Sequence, residues 1–167
     1  MNREITFVLM SIKPIYAKKI LDGSKWVEFR RVPYKSKDIN GVFIYETKPV
    51  GMVTGEFYVR RILHEPLELL WEHTERWAGI SKDEFMQYFH DCETGYALPT
   101  STVKKYDKPI PISEFGVKPP QNFVYIRRNL EDLDIVTKRL LGMIRFSEPI
   151  CPGIELRSLR GTHADIL

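Results

Sequence analysis

The sequence predicts an α+β protein built on a small, mixed, mainly antiparallel β-barrel with helices packed around it. Apolar, β-branched runs of strand length recur along the chain, and most connections between them are short. The long strand-like run 50–63 contains two glycines, which indicate a bend or bulge of the kind that turns the corners of small barrels. The predicted order is strand, helix, three strands, two helices, three strands and a C-terminal appendix.

The first elements lead into a polar stretch at residues 23–31. The run 5–12 is typical of a strand that is buried on nearly both faces. Pro14 suits the first turn of a short helix, and Gly23 is the candidate for its left-handed cap. A second strand is then predicted over 25–31.

The middle of the chain mixes strands and short helices. Ser81, followed three residues later by Glu84, forms a capping box that begins a short helix. Two prolines in the run 103–112 indicate a strand at the edge of a sheet. The other predicted elements are strands over 41–46, 50–63, 95–98 and 123–126, and a helix over 65–78.

Two regions are predicted. Residues 1–126 form the barrel domain, and residues 127–167 form an appendix that we expect to pack on the barrel. Asn129 is a plausible N-cap, with acidic residues in the first turn after it and basic residues in the last, which suits a helix dipole. The residues beyond that helix carry no clear pattern.

The composition is that of a globular protein. Of the 167 residues, 43% are hydrophobic and 28% are charged. No apolar run approaches the roughly 18 residues that span a bilayer, and the N-terminus is unlike a signal peptide. The cysteines Cys92 and Cys151 lie far apart, so reduced thiols are expected. We therefore expect a cytoplasmic protein with no membrane association.

Charge is distributed unevenly along the chain. Residues 1–37 contain nine Lys or Arg and three acidic residues, whereas residues 64–95 contain two basic and eight acidic residues. A local positive patch attracts an anionic partner even when the net charge is small, as it is here at +3. The alternative is that both are solvated surfaces that face each other across the fold.

The stretch 23–31 carries the residue types that hold a polar, planar ligand. In a regular strand, Glu28 and Arg30 share one face, while Lys25 and Arg31 share the other. Glu28 supplies an acceptor and Arg30 a forked donor. Because alternation separates the two pairs, we expect Lys25 to reach the site from the strand's entry, at the rim of a cleft.

This stretch also resembles a known family. Gly23-x-Lys25-x-x-Glu28-x-Arg30 matches the GxKxxExR signature of ASCH domains, which belong to the PUA-like superfamily of small β-barrels. The resemblance covers roughly residues 5–126. Its other segments are Ser11-Ile12-Lys13-Pro14, Tyr45-x-Thr47-x-Pro49-Val50, Gly55-Glu56-Phe57, Trp71 with Gly79-Ile80-Ser81-Lys82, Tyr96-Ala97-Leu98 and Pro120-Gln121-x-Phe123.

The resemblance implies a PUA-like barrel with a ligand cleft between it and the first helix. ASCH domains are generally proposed to bind RNA or modified nucleosides, and some are regarded as transcriptional regulators. Basic side chains would contact phosphate, Glu28 a base edge, and two tyrosines would stack on bases. The predicted ligand-binding residues are Lys13, Lys25, Glu28, Arg30, Arg31, Tyr45, Lys48 and Tyr96.

Structural roles for the same residues remain open. Glu28 can pair with Lys25 or Arg30 and hold them in place, and one of the two arginines can form a salt bridge on the barrel face. No metal or other cofactor is expected, because the cluster at 90–93 has no second cluster to complete a site.

The leading hypothesis is a module that binds RNA or a modified nucleotide, with a regulatory role. The alternative is an amidohydrolase acting on an acylated pyrimidine nucleoside such as acetylcytidine, with Lys25 as nucleophile or base and Glu28 as proton carrier. A small branch of the family performs that reaction with Thr at the position of Glu28, so this chain departs from its pattern. A third hypothesis is an assembly subunit that uses residues 127–167 as a homodimer contact.

Overall fold

The structure is a computed structural model that describes residues 4–129. It confirms the mixed α+β class, and the predicted C-terminal helix lies outside the described residues. None of the described helices is long and apolar enough to cross a membrane. The elements are β1 (Glu4–Ile12), α1 (Pro14–Leu21), β2 (Val27–Arg30), β3 (Gly41–Glu46), β4 (Met52–Tyr58), β5 (Leu63–Pro66), α2 (Leu67–Thr74), α3 (Lys82–Tyr88), β6 (Thr94–Pro99), β7 (Ser101–Pro111) and β8 (Phe123–Asn129), with 3₁₀ turns at Glu75–Trp77 and Ile112–Phe115.

The strands form two sheets. One has five strands in the order β7-β4-β3-β1-β8, and the other has three in the order β2-β6-β5. Only the β1–β3 pair is parallel among the described ladders, so the arrangement is mixed and mainly antiparallel. No ladder joins the two sheets within residues 4–129, so a closed barrel is not shown.

The single strand predicted over 50–63 is wrong. β4 ends at Tyr58 and β5 begins at Leu63, and the two strands belong to different sheets. The bulge expected at Gly55 is present, because the pairing of β4 with β7 shifts register there. A Cβ on Gly55 would lie 2.5 Å from the backbone oxygen of Lys104, so only glycine allows this close approach of the strands.

The second strand is shorter than predicted, since Lys25 and Arg31 fall outside it. The N–H of Lys25 donates to the carbonyl of Lys19 at the end of α1, and that of Trp26 donates to Trp77, both at 2.9 Å. Lys25 therefore belongs to the helix exit and not to the sheet. Gly23, with φ of +81°, confirms the predicted left-handed cap.

Helix α3 begins at the predicted capping box. The Ser81 hydroxyl accepts from the N–H of Glu84, and the Glu84 carboxylate accepts from the N–H of Ser81. The helix predicted over 65–78 is divided into α2 and a 3₁₀ turn.

Two clusters of the core lie on the two sides of the three-stranded sheet. Val27 and Phe29 pack against α2 and α3, where the Phe29 ring meets Phe85 edge-on with centroids 5.0 Å apart. Since successive residues of a strand point to opposite faces, Glu28 and Arg30 lie on the face away from these helices. That face adjoins the second core cluster, which includes Leu98 and residues of β1 and β3.

Candidate functional site

Three charged residues of the signature are buried together. Lys25, Glu28 and Arg30 are 2%, 6% and 8% exposed. The Glu28 carboxylate accepts a hydrogen bond from Nη2 of Arg30 at 2.9 Å, and its second oxygen lies 4.0 Å from Nζ of Lys25. We call these three residues the buried charge cluster. The carboxylate and the two cations compensate each other's charge in a region with little exposure to solvent.

Lys25 is held mainly by backbone carbonyls. Its ammonium group donates to the carbonyl of Val27 and, at 3.0 Å, to that of Ala78. Burial lowers the pKa of Lys25, and the neighbouring Glu28 carboxylate opposes that shift. Gly79 covers the side chain so closely that a Cβ there would lie 2.6 Å from Cβ of Lys25.

Arg30 connects the two sheets. Its Nη2 donates to the carbonyl of Ser11 in β1 at 2.8 Å, and its Nη1 donates to the side-chain oxygen of Asn122 at 2.9 Å. Within the described part of the chain, the buried Nε atom has no hydrogen-bond partner. Arg30 therefore fixes β2 against the end of β1 and the loop before β8.

Four of the other predicted ligand residues are not part of this cluster. Arg31 is exposed and donates to the carbonyl of Tyr88 and to the ring of His90. Tyr45, predicted to stack on a base, is 4% exposed and packs in the core, so it presents no free ring face. Lys13 and Lys48 are exposed near one end of the large sheet, where the N–H of Thr47 donates to the carbonyl of Ile12 at 3.0 Å.

An open cavity of about 570 Å³ lies on the same side of the small sheet as Arg30. It is bounded by residues 32–39, by the connection 59–62 and by β5 and β6. No residue of α1 lines it, in contrast to the cleft expected beside the first helix. Its lining residues are Val32, Pro33, Tyr34, Lys35, Ser36, Lys37, Ile39, Val59, Arg60, Arg61, Ile62, His64 and Tyr96.

The cavity is strongly cationic. Lys35, Lys37, Arg60 and Arg61 are all exposed. Within residues 4–129 none of the four forms a salt bridge, and no carboxylate lines the cavity. An anion entering the cavity would therefore meet positive charge from two separate segments of the chain.

A row of three side chains links the cavity to the buried charge cluster. Tyr96 pairs with Arg30 on one side and with His64 on the other. Directly opposed residues of adjacent strands point to the same face of a sheet, so all three share that face. The His64 and Tyr96 rings stack with centroids 4.1 Å apart and planes within 6°.

The loop that supplies the two lysines is anchored to β8. The Tyr125 hydroxyl accepts from the N–H groups of Lys35 at 2.9 Å and Ser36 at 3.1 Å. Tyr34 is buried beside them, and burial raises its pKa well above the ordinary value. The segment that carries Lys35 and Lys37 is therefore held in place by two uncharged tyrosine side chains.

Among the described residues that line the cavity, Tyr96 is the one for which the sequence predicted contact with a ligand. Arg60 and Arg61 fall in the strand predicted over 50–63, and His64 directly follows it, whereas Lys35 and Lys37 lie between the strands predicted over 25–31 and 41–46. Two pairs of closely spaced cations beside short connections were the available signal. Only the change of sheet between β4 and β5 shows that the pairs border one cavity.

Comparison with known proteins identifies the family of this chain. The model of the ASCH domain family matches residues 10–114. The ASCH domain-containing ribonuclease of Zymomonas mobilis is 29% identical over 126 residues, which cover 72% of this chain and 84% of that protein. The ATP synthase subunit alpha of Ureaplasma parvum is 31% identical over 122 residues, and the large ribosomal subunit protein uL22 of the same species is 27% identical over 124 residues. The matched part spans only 15% and 39% of the length of those two proteins.

Solved structures agree with this match. The crystal structure of the ASCH protein from Zymomonas mobilis superposes with a TM-score of 0.69 at 27% identity, covering 83% of this chain and 96% of that one. A serine-to-alanine mutant of the same protein superposes with a TM-score of 0.70 at 27% identity and the same coverage.

Proposed function

Since the chain belongs to the ASCH domain family, we propose that it binds single-stranded RNA in the open cavity beside Tyr96. One observation carries this proposal: two pairs of exposed cations, Lys35 with Lys37 and Arg60 with Arg61, border a cavity that also contains an aromatic stack. A relative of similar length is named a ribonuclease, which supports an RNA-related role.

Phosphate would be the main anchor. Cations that neutralise phosphates supply most of the sequence-independent affinity of nucleic-acid binding. Lys35 and Lys37 come from one connection, and Arg60 and Arg61 from another. Cations on two segments can contact successive phosphates of a strand that crosses the cavity.

An unpaired base would occupy the cavity itself. Its volume of about 570 Å³ is within the range typical of small-ligand sites. His64 is exposed and Tyr96 is half-buried beneath it, so the outer surface of the stack is the His64 ring. A base stacked there needs to be unpaired, which favours single strands over duplexes.

The buried charge cluster has a positioning role in this proposal. Lys25, Glu28 and Arg30 hold β2, and β2 pairs with β6 at Tyr96. Direct contact of these three side chains with RNA would require that binding displace their present hydrogen-bond partners. Lys13, Arg31 and Lys48 are proposed as further phosphate contacts outside the cavity.

Binding of a fluorescein-labelled single-stranded RNA, followed by anisotropy, tests the proposal. The double variant Arg60→Ala/Arg61→Ala should bind roughly tenfold or more weakly, since two phosphate contacts are lost. The control is Lys108→Ala/Lys118→Ala, which makes the same charge change at exposed lysines outside the cavity. Equal losses in both variants, or no binding by the unaltered protein at low salt, would contradict the proposal.

Hydrolysis of an acylated pyrimidine nucleoside is the second candidate function. The observation that favours it is the buried Lys25, whose pKa is lowered by burial and whose Nζ lies 4.0 Å from Glu28. A lysine with these properties can act as a nucleophile or base. Against it, Nζ already donates to two backbone carbonyls.

Incubation with acetylcytidine and mass analysis of the product tests this second function. Formation of the deacetylated nucleoside by the unaltered protein would support it. Absence of that product with the unaltered protein would exclude this substrate.

A further inference from the structure

We infer that the hydroxyl of Tyr125 is a positioning group for RNA binding, because it holds residues 33–39 with Lys35 and Lys37 in place before RNA binds. The inference rests on the proposed RNA binding at the cavity. It assigns a role in ligand affinity to a residue of β8 that does not itself line the cavity.

The connection between β2 and β3 is tied to the rest of the fold near both of its ends. The side-chain amide of Asn122 donates to the carbonyl of Val32 at 2.9 Å. At the other end, the side-chain oxygen of Asn40 accepts from the N–H of Thr6 at 2.9 Å, and the N–H of Asn40 donates to the carbonyl of Thr6 at 2.6 Å. These contacts fix where the connection begins and ends, but they do not reach residues 33–39.

The hydrogen bonds of residues 33–39 all go to one hydroxyl. Tyr125 accepts from the N–H of Lys35 at 2.9 Å and from that of Ser36 at 3.1 Å. Within the described part of the chain, these residues make no other hydrogen bond and no salt bridge. A segment with so few hydrogen bonds opens at low cost in free energy once that anchor is lost.

The two bonds act directly on the backbone that carries the lysines. The N–H groups of Lys35 and Ser36 lie on either side of the Lys35 Cα atom, so a common acceptor restrains the direction in which that side chain leaves the backbone. Lys37 follows Ser36 immediately. Tyr34 and Ile39 are buried in the core on either side, but their burial fixes apolar side chains and leaves the backbone between them unbonded.

Tyr125 is itself held firmly. Its ring meets that of Phe123 with centroids 5.6 Å apart, and the guanidinium of Arg127 lies 5.2 Å from its centre. In the strand register, Tyr125 is paired with Val8 in the middle of β1. A group presented by a packed strand is placed more precisely than one on a loop. Tyr125→Phe keeps the ring and removes only the acceptor.

The expected consequence is a loss of preorganisation. A loop that has to be ordered when a ligand binds lowers affinity, whereas a loop that is already ordered does not. Lys35 and Lys37 would remain charged in Tyr125→Phe, but they would no longer be held beside the cavity. RNA binding should therefore weaken, although no cation has been removed.

A double-variant cycle, measured by anisotropy with a fluorescein-labelled single-stranded RNA, tests this inference. Tyr125→Phe should bind about tenfold more weakly than the unaltered protein. In Lys35→Ala/Lys37→Ala the same change should weaken binding by less than about twofold, since no lysines remain to be positioned. In Arg60→Ala/Arg61→Ala it should again weaken binding about tenfold, because those arginines belong to another segment.

Tyr106→Phe is the matched control. Tyr106 also presents a hydrogen-bonded hydroxyl from a strand, donating to Glu56 at 2.7 Å, but it belongs to a different core cluster and does not line the cavity. This variant should bind RNA like the unaltered protein. The N–H groups of Lys35 and Ser36 should exchange with solvent faster in Tyr125→Phe and at the unaltered rate in Tyr106→Phe.

Two results would overturn the inference alone. One is RNA binding that Tyr125→Phe leaves unchanged. The other is an equal loss of affinity with and without Lys35 and Lys37, which would show that Tyr125 acts through the fold in general and not through the lysines. If the unaltered protein binds no single-stranded RNA at low salt, the proposed function fails as well.

Discussion

The rings of His64 and Tyr96 stack in parallel, with centroids 4.1 Å apart, and the strand register places Arg30 on the other side of Tyr96. One end of this row is buried and bonded to two sheets, and the other end is exposed in a cationic cavity. The family signature and the cavity are therefore adjoining parts of one structure, and the buried charges position the surface at which we propose that RNA binds.

Replacing Lys25 should destabilise the protein severely. In Lys25→Met the carbonyls of Val27 and Ala78 lose their donor, and Glu28 loses one of its two cations. We expect the free energy of unfolding in urea to fall by about 3 kcal/mol. The exposed Lys18→Met on α1 is the control and should change it by less than about 0.5 kcal/mol. Similar values for the two variants would show that the buried charge cluster does not stabilise the fold.

The contact between Gly79 and Lys25 allows a second, independent test of the packing around the buried Lys25 side chain. Gly79 and Gly116 both have positive φ, of +64° and +69°. A Cβ at Gly79 would lie 2.6 Å from Cβ of Lys25, whereas at Gly116 the nearest atom is 3.8 Å away. Backbone strain alone should destabilise Gly116→Ala by about 1 kcal/mol, and overpacking should bring the loss in Gly79→Ala to about 3 kcal/mol. Equal urea midpoints would contradict the close packing around Lys25.

Stability should fall at alkaline pH because of buried tyrosines. Burial raises the pKa of Tyr34 and of Tyr106, which also donates to Glu56 at 2.7 Å. Above about pH 10 the unfolded chain loses these phenolic protons while the folded chain keeps them, so the free energy of unfolding decreases as pH rises.

The size of this effect can be measured with one variant. Each such tyrosine contributes a slope of up to about 1.4 kcal/mol per pH unit. Urea unfolding between about pH 9 and pH 11 should therefore show a shallower decline for Tyr106→Phe than for the unaltered protein. Parallel declines would contradict the retention of the proton by Tyr106 in the folded state.

Local patterns predicted the local structure well. The apolar run of β1, Pro14 and Gly23 at the ends of α1, and the capping box at Ser81 are each determined by neighbouring residues, and each is confirmed. The predicted length of β2 was wrong because the N–H of Lys25 donates to the carbonyl of Lys19 at the end of α1, and not to a neighbouring strand.

The predicted position of Lys25 at the start of the second strand agrees with the structure, but its predicted position at the rim of a cleft does not. Lys25 precedes the strand and its Nζ lies 4.0 Å from Glu28, but it is buried and not at a cleft rim. Burial of a lysine depends on the segment that covers it, here the turn at Gly79, which is more than fifty residues away in the chain. Sequence spacing carries no information about such a contact.

The cavity could not be predicted for the same reason. Lys35 and Lys37 belong to the connection before β3, whereas Arg60 and Arg61 belong to the crossing from one sheet to the other. Their proximity follows from the division of the 50–63 run between two sheets. Glycines signalled a bend in that run, but not that its end joins a different sheet.

The most direct test of the proposed RNA site is the salt dependence of binding. The dissociation constant of a single-stranded RNA is measured over a range of salt concentrations for the unaltered protein and for Arg60→Ala/Arg61→Ala. Each phosphate contact contributes roughly 0.7 to the slope of log affinity against log salt for a single strand, so the double variant should show a slope shallower by about 1.4. Identical slopes for the two proteins would show that RNA does not bind at this cavity.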